Sequence, residues 1–264
     1  MLAAPKNNNS LKFIKASALG NDFIIFDARF DEDFFLSKSQ IQKFSNRKFI
    51  GCDQLIILKK INNADAEMQI YNQDGSFAGA CGNATRCVAK ILIDDLKKEK
   101  LLIKTAAGIL SCEKKDELIS VNMGKINFLE NISLFGFNFY LADIGNPHAV
   151  TFAKEEISDE EFFKIAPQIE NNSYFPNKTN VEFARIINDK LIEVRVFERG
   201  VGETLACGSG ACCVGAVAIK NSLINSKMTK VRFKGGDLEI TMINGDEVLM
   251  TGDCQIDFYG QINE

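Results

Sequence analysis

Two stretches decide how this chain is read: Ala80-Cys-Gly-Asn-Ala-Thr-Arg-Cys87 and Ala206-Cys-Gly-Ser-Gly-Ala-Cys-Cys213. They share an Ala-Cys-Gly-(Asn/Ser) opening, and Cys81 and Cys207 stand 126 residues apart, close to half of a 264-residue chain. Each opens a predicted helix. From Asn83, residues Ala84, Cys87, Val88, Ile91 and Leu92 recur at helical spacing to about Leu96. From Ser209 to Ile219 nearly every residue is small or apolar, the pattern of a helix wrapped on all sides. The pattern predicts an internal duplication, with a Cys-Gly at the start of one central helix in each half.

Around these helices the chain reads as many short strands. Phe23–Asp27, Leu55–Lys59, Leu101–Lys104, Leu118–Met123, Phe137–Ile144, Glu182–Ile187 and Leu191–Phe197 have strand length and composition. Asn188-Asp189, Gly235-Gly236 and Asn244-Gly245 are turn sequences of the hairpin kind. Asp33–Phe44 and Asp159–Ile169 read as surface helices, the second with an acidic first turn that suits a helix N-terminus. The expected class is α/β (α+β), with strands enclosing one helix in each half.

Composition narrows the function. With 46% hydrophobic and 25% charged residues the chain is ordinary for a globular protein. A net charge of −4 with scattered charges disfavours broad nucleic-acid or anionic-membrane binding. No apolar run approaches the ~20 residues that span a bilayer. Residues Met1–Ser10 have neither a basic nor an apolar block, and read as a polar lead-in rather than a signal peptide, which makes the cytoplasm the default location. Eight cysteines in such a chain are expected to be reduced. There is no C-x-x-C and His148 is the only histidine, so the usual zinc spacing is missing and no metal site is expected. Cys87, Cys212 and Cys213 read as small buried hydrophobes.

Cys81 and Cys207 do not. A helix start offers unpaired N–H groups and a partial positive charge, which lowers a thiol pKa from about 8.5 and can hold a carboxylate. Gly82 and Gly208 clear the approach. Two such starts facing one α-carboxylate would place the adjacent carbon between two thiols. One thiolate then removes its proton while the opposite thiol returns one to the other face.

At these residues the sequence resembles the diaminopimelate epimerase family, from Phe13 to about Gly260. The resemblance is carried by Leu19-Gly-Asn-Asp-Phe23, Asp53-Gln54, Tyr71-Asn72-x-Asp-Gly75, Gly145-Asn-Pro-His148, Thr179-Asn-Val-Glu-Phe183 and the run Glu198-Arg-Gly-Val-Gly-Glu-Thr-x-Ala-Cys-Gly-Ser-Gly210. It departs in Ser17-Ala18, in Phe77-Ala-Gly-Ala80 without an acidic residue, and in Ala84 where glycine is common.

What the resemblance implies is specific. Cys81 and Cys207 would be the acid/base pair, with His148 and Glu198 tuning the thiols. Gly82, Asn83, Gly208 and Ser209 would surround the reacting amino-acid end, Glu198 holding its ammonium. Asn21, Gln54, Asn72, Asn146, Asn180 and Arg199 would be further contacts, several at the distal end. The implied fold is two pseudo-symmetric domains, residues 1–126 with 252–264 and residues 127–251, each a sheet curled around a central helix, with the active site between. The implied substrate is diaminopimelate, without cofactor, in lysine and peptidoglycan precursor synthesis, and the family reading leaves room for a homodimer.

Other readings stand beside this one. Outside their motifs, Arg199 and Glu198 are ordinary surface charges, and Asn146-Pro147 and Asn72-x-Asp-Gly75 are good turns. Gly200-x-Gly202 and Gly208-x-Gly210 do not complete a dinucleotide loop. A proline or hydroxyproline racemase also uses two cysteines but has no distal group for Asn72, Asn180 and Arg199 to hold. The phenazine-biosynthesis isomerase type lacks the cysteine pair. A thiol redox or metal-binding module would instead use the cysteines as a set.

Overall fold

The computed structural model describes residues 10–263. Residues 1–9 of the polar lead-in lie outside that range, and Ser10 already belongs to the first strand. Strands β1 (Ser10–Ala18) and β2 (Asn21–Ala28) form a hairpin. Helix α1 (Lys38–Ser45) leads to β3 (Gln54–Lys59), parallel to β2, and β4 (Ala66–Asn72) runs antiparallel to β3. The short β5 (Phe77–Ala78) precedes α2 (Gly82–Leu96), which crosses to β6 (Lys100–Thr105), parallel to β4. Strands β7 (Gly108–Lys115) and β8 (Leu118–Lys125) complete a meander.

After the short β9 (Asn127–Phe128) and β10 (Ile132–Leu134), the same order returns. Strands β11 (Phe137–Asp143) and β12 (Pro147–Phe152) form the hairpin. Helix α3 (Asp159–Glu170) leads to β13 (Asn180–Asn188), parallel to β12, and β14 (Leu191–Glu198) is antiparallel to it. The short β15 (Gly202–Thr204) precedes α4 (Gly208–Lys220), which crosses to β16 (Met228–Phe233), parallel to β14. Strands β17 (Gly236–Ile243) and β18 (Glu247–Gly252) follow as a meander.

The duplication therefore extends from the shared Ala-Cys-Gly openings to the whole pairing scheme. Registers repeat as well: Phe23 lies level with Gln54 as His148 does with Asn180. Gln54 opposes Asn72, and Val181 opposite Phe197 puts Asn180 level with Glu198. The two halves are stitched by their last strands, β8 to β18, where Val121 faces Met250. Strand β19 (Gln255–Asn263) then returns to the first half and pairs with β1.

Helices α2 and α4 are the inner elements. Ten residues of α4, from Gly208 to Ala218, are buried, consistent with its all-round apolar sequence. Both helices share one core, with Val88, Leu92, Val214 and Val217 fully enclosed. The outer helices α1 and α3 cover two smaller clusters, around Phe26 and Phe44 and around Phe139 and Phe162.

Boundaries differ from expectation mainly at α1. The helix starts at Lys38 rather than Asp33, because Ser37 and Gln40 form a capping box and Lys59 binds the carbonyls of Asp31, Glu32 and Phe34. Helix α3 starts at Asp159 as expected, capped by Ser158. The three expected turns join β13 to β14, β16 to β17 and β17 to β18, the last with Asn244 and Gly245 at φ 50° and 84°. No helix among the described residues is long and apolar enough to cross a membrane.

Candidate active site

Cys81 and Cys207 are the N-caps of α2 and α4, both in extended backbone geometry. Cys81 Sγ accepts from the Ala84 N–H (3.5 Å) and Cys207 Sγ from the Gly210 N–H (3.4 Å). Each thus takes the place a serine or aspartate oxygen normally has at a cap. The two starts meet. A Cβ on Gly82 would lie 2.8 Å from Met250 Cε, and one on Gly208 would lie 3.1 Å from Met250 Sδ and 3.8 Å from Asn83 Oδ1. Met250, buried on β18, fills the angle between them.

In the first half a directed chain of hydrogen bonds runs behind Cys81. Arg86 Nη2 donates to Asn83 Oδ1 (3.0 Å), Asn83 Nδ2 to Asn21 Oδ1 (2.7 Å), and Asn21 Nδ2 to Asp53 Oδ2 (3.2 Å). Asp53 also accepts from Arg47 (2.6 Å). One strand over, Gln54 Nε2 donates to Asn72 Oδ1 (3.1 Å), and Asn72 Nδ2 to Ser76 Oγ (3.0 Å).

The second half has the matching chain behind Cys207. Asn146 follows a positive-φ glycine, Gly145, as Asn21 follows Gly20. Asn146 Nδ2 donates to Ser209 Oγ (3.3 Å), which lies 3.4 Å from Cys207 Sγ. The His148 ring places Nε2 at 3.2 Å from Asn146 Oδ1 and Nδ1 at 2.7 Å from Glu182 Oε1. Glu198 takes a hydrogen bond from Thr204 and another from Cys207. Asn180 is spent on the backbone: its Nδ2 donates to the Pro147 carbonyl (2.8 Å), and its Oδ1 accepts the Arg199 N–H (3.0 Å). It thereby fixes the turn that carries Glu198 and Arg199. The Arg199 side chain is exposed, reaching the Asn177 carbonyl (3.4 Å).

The structure thus gathers Asn21 and Asn83 behind Cys81 and Asn146, His148 and Ser209 behind Cys207, leaves the Gln54–Asn72 pair and the Arg199 side chain outside these two chains of hydrogen bonds, and adds two charged residues that sequence reasoning passed over. Glu182 is fully buried, and its Oε2 has no hydrogen-bond partner. It lies within the Thr179–Phe183 motif, an acidic residue flanked by the apolar Val181 and Phe183, which was the available signal. Arg86, equally buried, interrupts the apolar face of α2. Glu182 is not required by the scaffold. The repeated register sets Phe23 and Ile56 where the second half has His148 and Glu182, and both are fully buried hydrophobics. A histidine–carboxylate pair therefore backs Cys207 and a guanidinium backs Cys81.

This asymmetry reaches the thiols. Burial pushes the Cys81 thiol up to about 11; the neighbouring Glu198 adds to the rise, while Arg86 and the helix-start N–H groups oppose it. Cys207 is pushed well upward too, by burial and then by Glu198 and Glu182. The helix starts alone were expected to lower both pKa values, but desolvation and the two carboxylates outweigh them here. Burial also raises Glu198, against its hydrogen bonds from Thr204 and Cys207.

Two matched halves that meet at a common junction define a duplicated scaffold, and solved structures share this fold. The Bacillus anthracis phenazine biosynthesis protein of the PhzF family superposes with a TM-score of 0.71 at 15% identity, over 97% of this chain and 100% of that one. A probable proline racemase from Agrobacterium radiobacter gives 0.69 at 15% identity, covering 96% and 92%. Sequence separates these neighbours. The profile described as diaminopimelate epimerase matches residues 13–129 and again 140–256, and the diaminopimelate epimerase of Pelagibacter ubique is 37% identical over 92% of this chain and 95% of its own. The chain belongs to the diaminopimelate epimerase family.

Proposed function

We propose that this protein interconverts L,L- and meso-diaminopimelate by two-base proton transfer between Cys81 and Cys207, without a cofactor. The observation that carries this reading is that two thiols capping separate helices share one acidic neighbour, Glu198, at the junction of the halves. In this reading the substrate α-carboxylate lies against the N–H groups of both helix starts, over Gly82 and Gly208, with Asn83 and Ser209 beside it. The α-ammonium pairs with Glu198. It brings a positive charge next to both thiols, which favours thiolate and offsets the rise that burial and the carboxylates impose.

One thiolate takes the α-proton, leaving electron density spread into the carboxylate, where the helix-start N–H groups stabilise it. The other thiol delivers its proton to the opposite face, so the protonation states of the two cysteines exchange at each turnover. Ser209, Asn146, His148 and Glu182 hold the Cys207 side in place, and Arg86, Asn83 and Asn21 the Cys81 side. Arg199 and the amides of Asn21, Gln54, Asn72, Asn146 and Asn180 form the distal wall or brace it. The working units are residues 1–126 with 252–264, and residues 127–251. The enzyme acts in the cytoplasm, as a homodimer.

Chiral analysis after incubation with L,L-diaminopimelate, with no cofactor added, tests this. Meso product is expected, with lysine and proline turned over at least a hundredfold more slowly, since a site built to bind a polar distal group rejects analogues lacking it. Comparable rates on lysine or proline would move the protein to the racemase reading.

A further inference from the structure

The side chains of His148 and Glu182 are both wholly enclosed, and the ring sets Nδ1 at 2.7 Å from Glu182 Oε1. On its other edge the ring meets a second oxygen, with Nε2 at 3.2 Å from Asn146 Oδ1. A neutral imidazole carries one N–H and needs a donor opposite its bare nitrogen, whereas an imidazolium donates from both. Oxygen acceptors on opposite edges therefore select the doubly protonated ring. Glu182 supplies the balancing charge. An enclosed carboxylate is costly unless a cation stands beside it, and among the described residues His148 is the ion-pair partner of Glu182.

The charge on the ring fixes the direction of every hydrogen beyond it. With Oδ1 accepting from His148, Asn146 turns Nδ2 to Ser209 Oγ (3.3 Å) as a donor. The hydroxyl is then an acceptor on that side and free to donate to Cys207 Sγ (3.4 Å). A neutral ring reverses the order: Asn146 turns Nδ2 to the bare ring nitrogen and Oδ1 to Ser209, and the hydroxyl is drawn to the amide and away from the sulfur. The first half shows that the scaffold does not need this direction. There Asn21, in the place of Asn146, presents its oxygen to the helix start and accepts from Asn83 Nδ2 (2.7 Å). Among the described residues, Cys81 Sγ takes its hydrogen bonds from backbone N–H groups alone.

We propose that Glu182 is a positioning residue of the acid/base site: it holds His148 as an imidazolium, and the ring aims the hydrogens of Asn146 and Ser209 at the sulfur of Cys207. The inference rests on the reading of Cys207 as one of the two bases. Once Cys207 has given its proton to the substrate carbon, the thiolate left behind accepts from the Ser209 hydroxyl as well as from the Gly210 N–H (3.4 Å). That support matters because Cys207 is enclosed and shares its surroundings with the Glu198 carboxylate. The ionisable groups around the sulfur are Glu198 on β14, Glu182 on β13, His148 on β12 and Cys213 on α4. Imidazolium and carboxylate cancel, so the pair directs donors at Cys207 without adding net charge. No proton travels along the chain.

His148 is the only histidine in the chain, so long-range proton–nitrogen NMR correlation reads its ring without ambiguity. At a pH of about 8, where a free imidazole is neutral, wild-type protein should show both ring nitrogens protonated. Glu182→Gln keeps the shape and removes the charge, and should show one bare nitrogen. Steady-state kinetics supply the second readout. Glu182→Gln should lower kcat on L,L-diaminopimelate by roughly ten- to a hundredfold, the worth of a hydrogen bond to a charged group, with KM little changed. Ser209→Ala removes the same donor at its far end, so the double variant should lose about what Ser209→Ala loses alone. A bare ring nitrogen in wild-type protein, the same ring spectrum in Glu182→Gln, or losses that multiply in the double variant would overturn the proposal. The wild-type spectrum needs neither substrate nor a folded variant. It therefore decides the inference even in protein that leaves diaminopimelate unchanged, an outcome that would instead contradict the epimerase reading.

Discussion

Asp22 binds both the Lys15 ammonium and the Arg47 guanidinium, and its backbone N–H donates to Asp53 (3.2 Å), the carboxylate that accepts from Asn21 (3.2 Å). Burial would raise its pKa, but the hydrogen bonds from Arg47 and Lys15 win and hold it down at about 2 against an ordinary 3.8. A carboxyl depressed on folding stabilises the native state fully above its unfolded pKa, and the contribution fades as pH falls toward the folded one. Asp22→Asn should therefore cost on the order of 1–2 kcal/mol near neutrality, part of the ion pairing being screened at the exposed Arg47. The variant's Tm should also change less than wild type's between pH 4 and 2. An unchanged acid limb in that window would contradict this. Asp22 was visible in the sequence as part of Leu19–Phe23, but its partners Lys15 and Arg47 were not, since they reach it across the sheet and from the loop after α1. Glu182 and Arg86 were hidden for a related reason: a buried charge shows itself only through what surrounds it, and their surroundings come from strands and helices far apart in the chain.

At the scale of elements, α4 shows why a helix start that carries a thiol also demands small neighbours. A Cβ on Gly210 would lie 2.8 Å from Glu182 Oε1 and 3.3 Å from Cys207 Cβ. Glu182 is the far end of a side chain, yet it is fully enclosed and held by His148, so it has nowhere to retreat. Gly210→Ala is expected to cost about 1–3 kcal/mol of stability by overpacking and to lower kcat, because the His148–Glu182 contact and the cap on Cys207 are displaced together. Urea unfolding and steady-state kinetics measure the two effects; full activity with unchanged stability would show that the site tolerates a shifted Glu182. Helices α2, α3 and α4 were legible from periodicity and caps, as was the run of hairpins at Asn188, Gly235 and Asn244. The start of α1 was not, because Asp33 through Leu36 look helical until Lys59 binds the carbonyls of Asp31, Glu32 and Phe34. Strands β1 and β19 escaped notice because the pairing that joins them runs between opposite ends of the chain, with β2 on the other side of β1.

The whole molecule repeats one pairing scheme twice and joins the copies through β8 and β18, so each half contributes one helix start to a single junction. An Ala-Cys-Gly opening repeated at an interval of 126 pointed to this arrangement. The stitching of the halves was not readable, since pairing between last strands leaves no local pattern. What duplication supplies is opposition: two thiols on separate elements, one backed by Arg86 and the other by His148 and Glu182, with Glu198 near both. The central claim is that these thiols act on opposite faces of one carbon. Turnover of L,L-diaminopimelate in deuterated water, stopped early, tests it most directly. Two-base inversion predicts solvent deuterium at the inverted carbon of the meso product while recovered L,L-substrate stays largely protiated, and Cys81→Ala and Cys207→Ala each abolish the conversion. Substantial retention of the substrate's own hydrogen in the product would mean that a single base serves both faces, and would contradict the account.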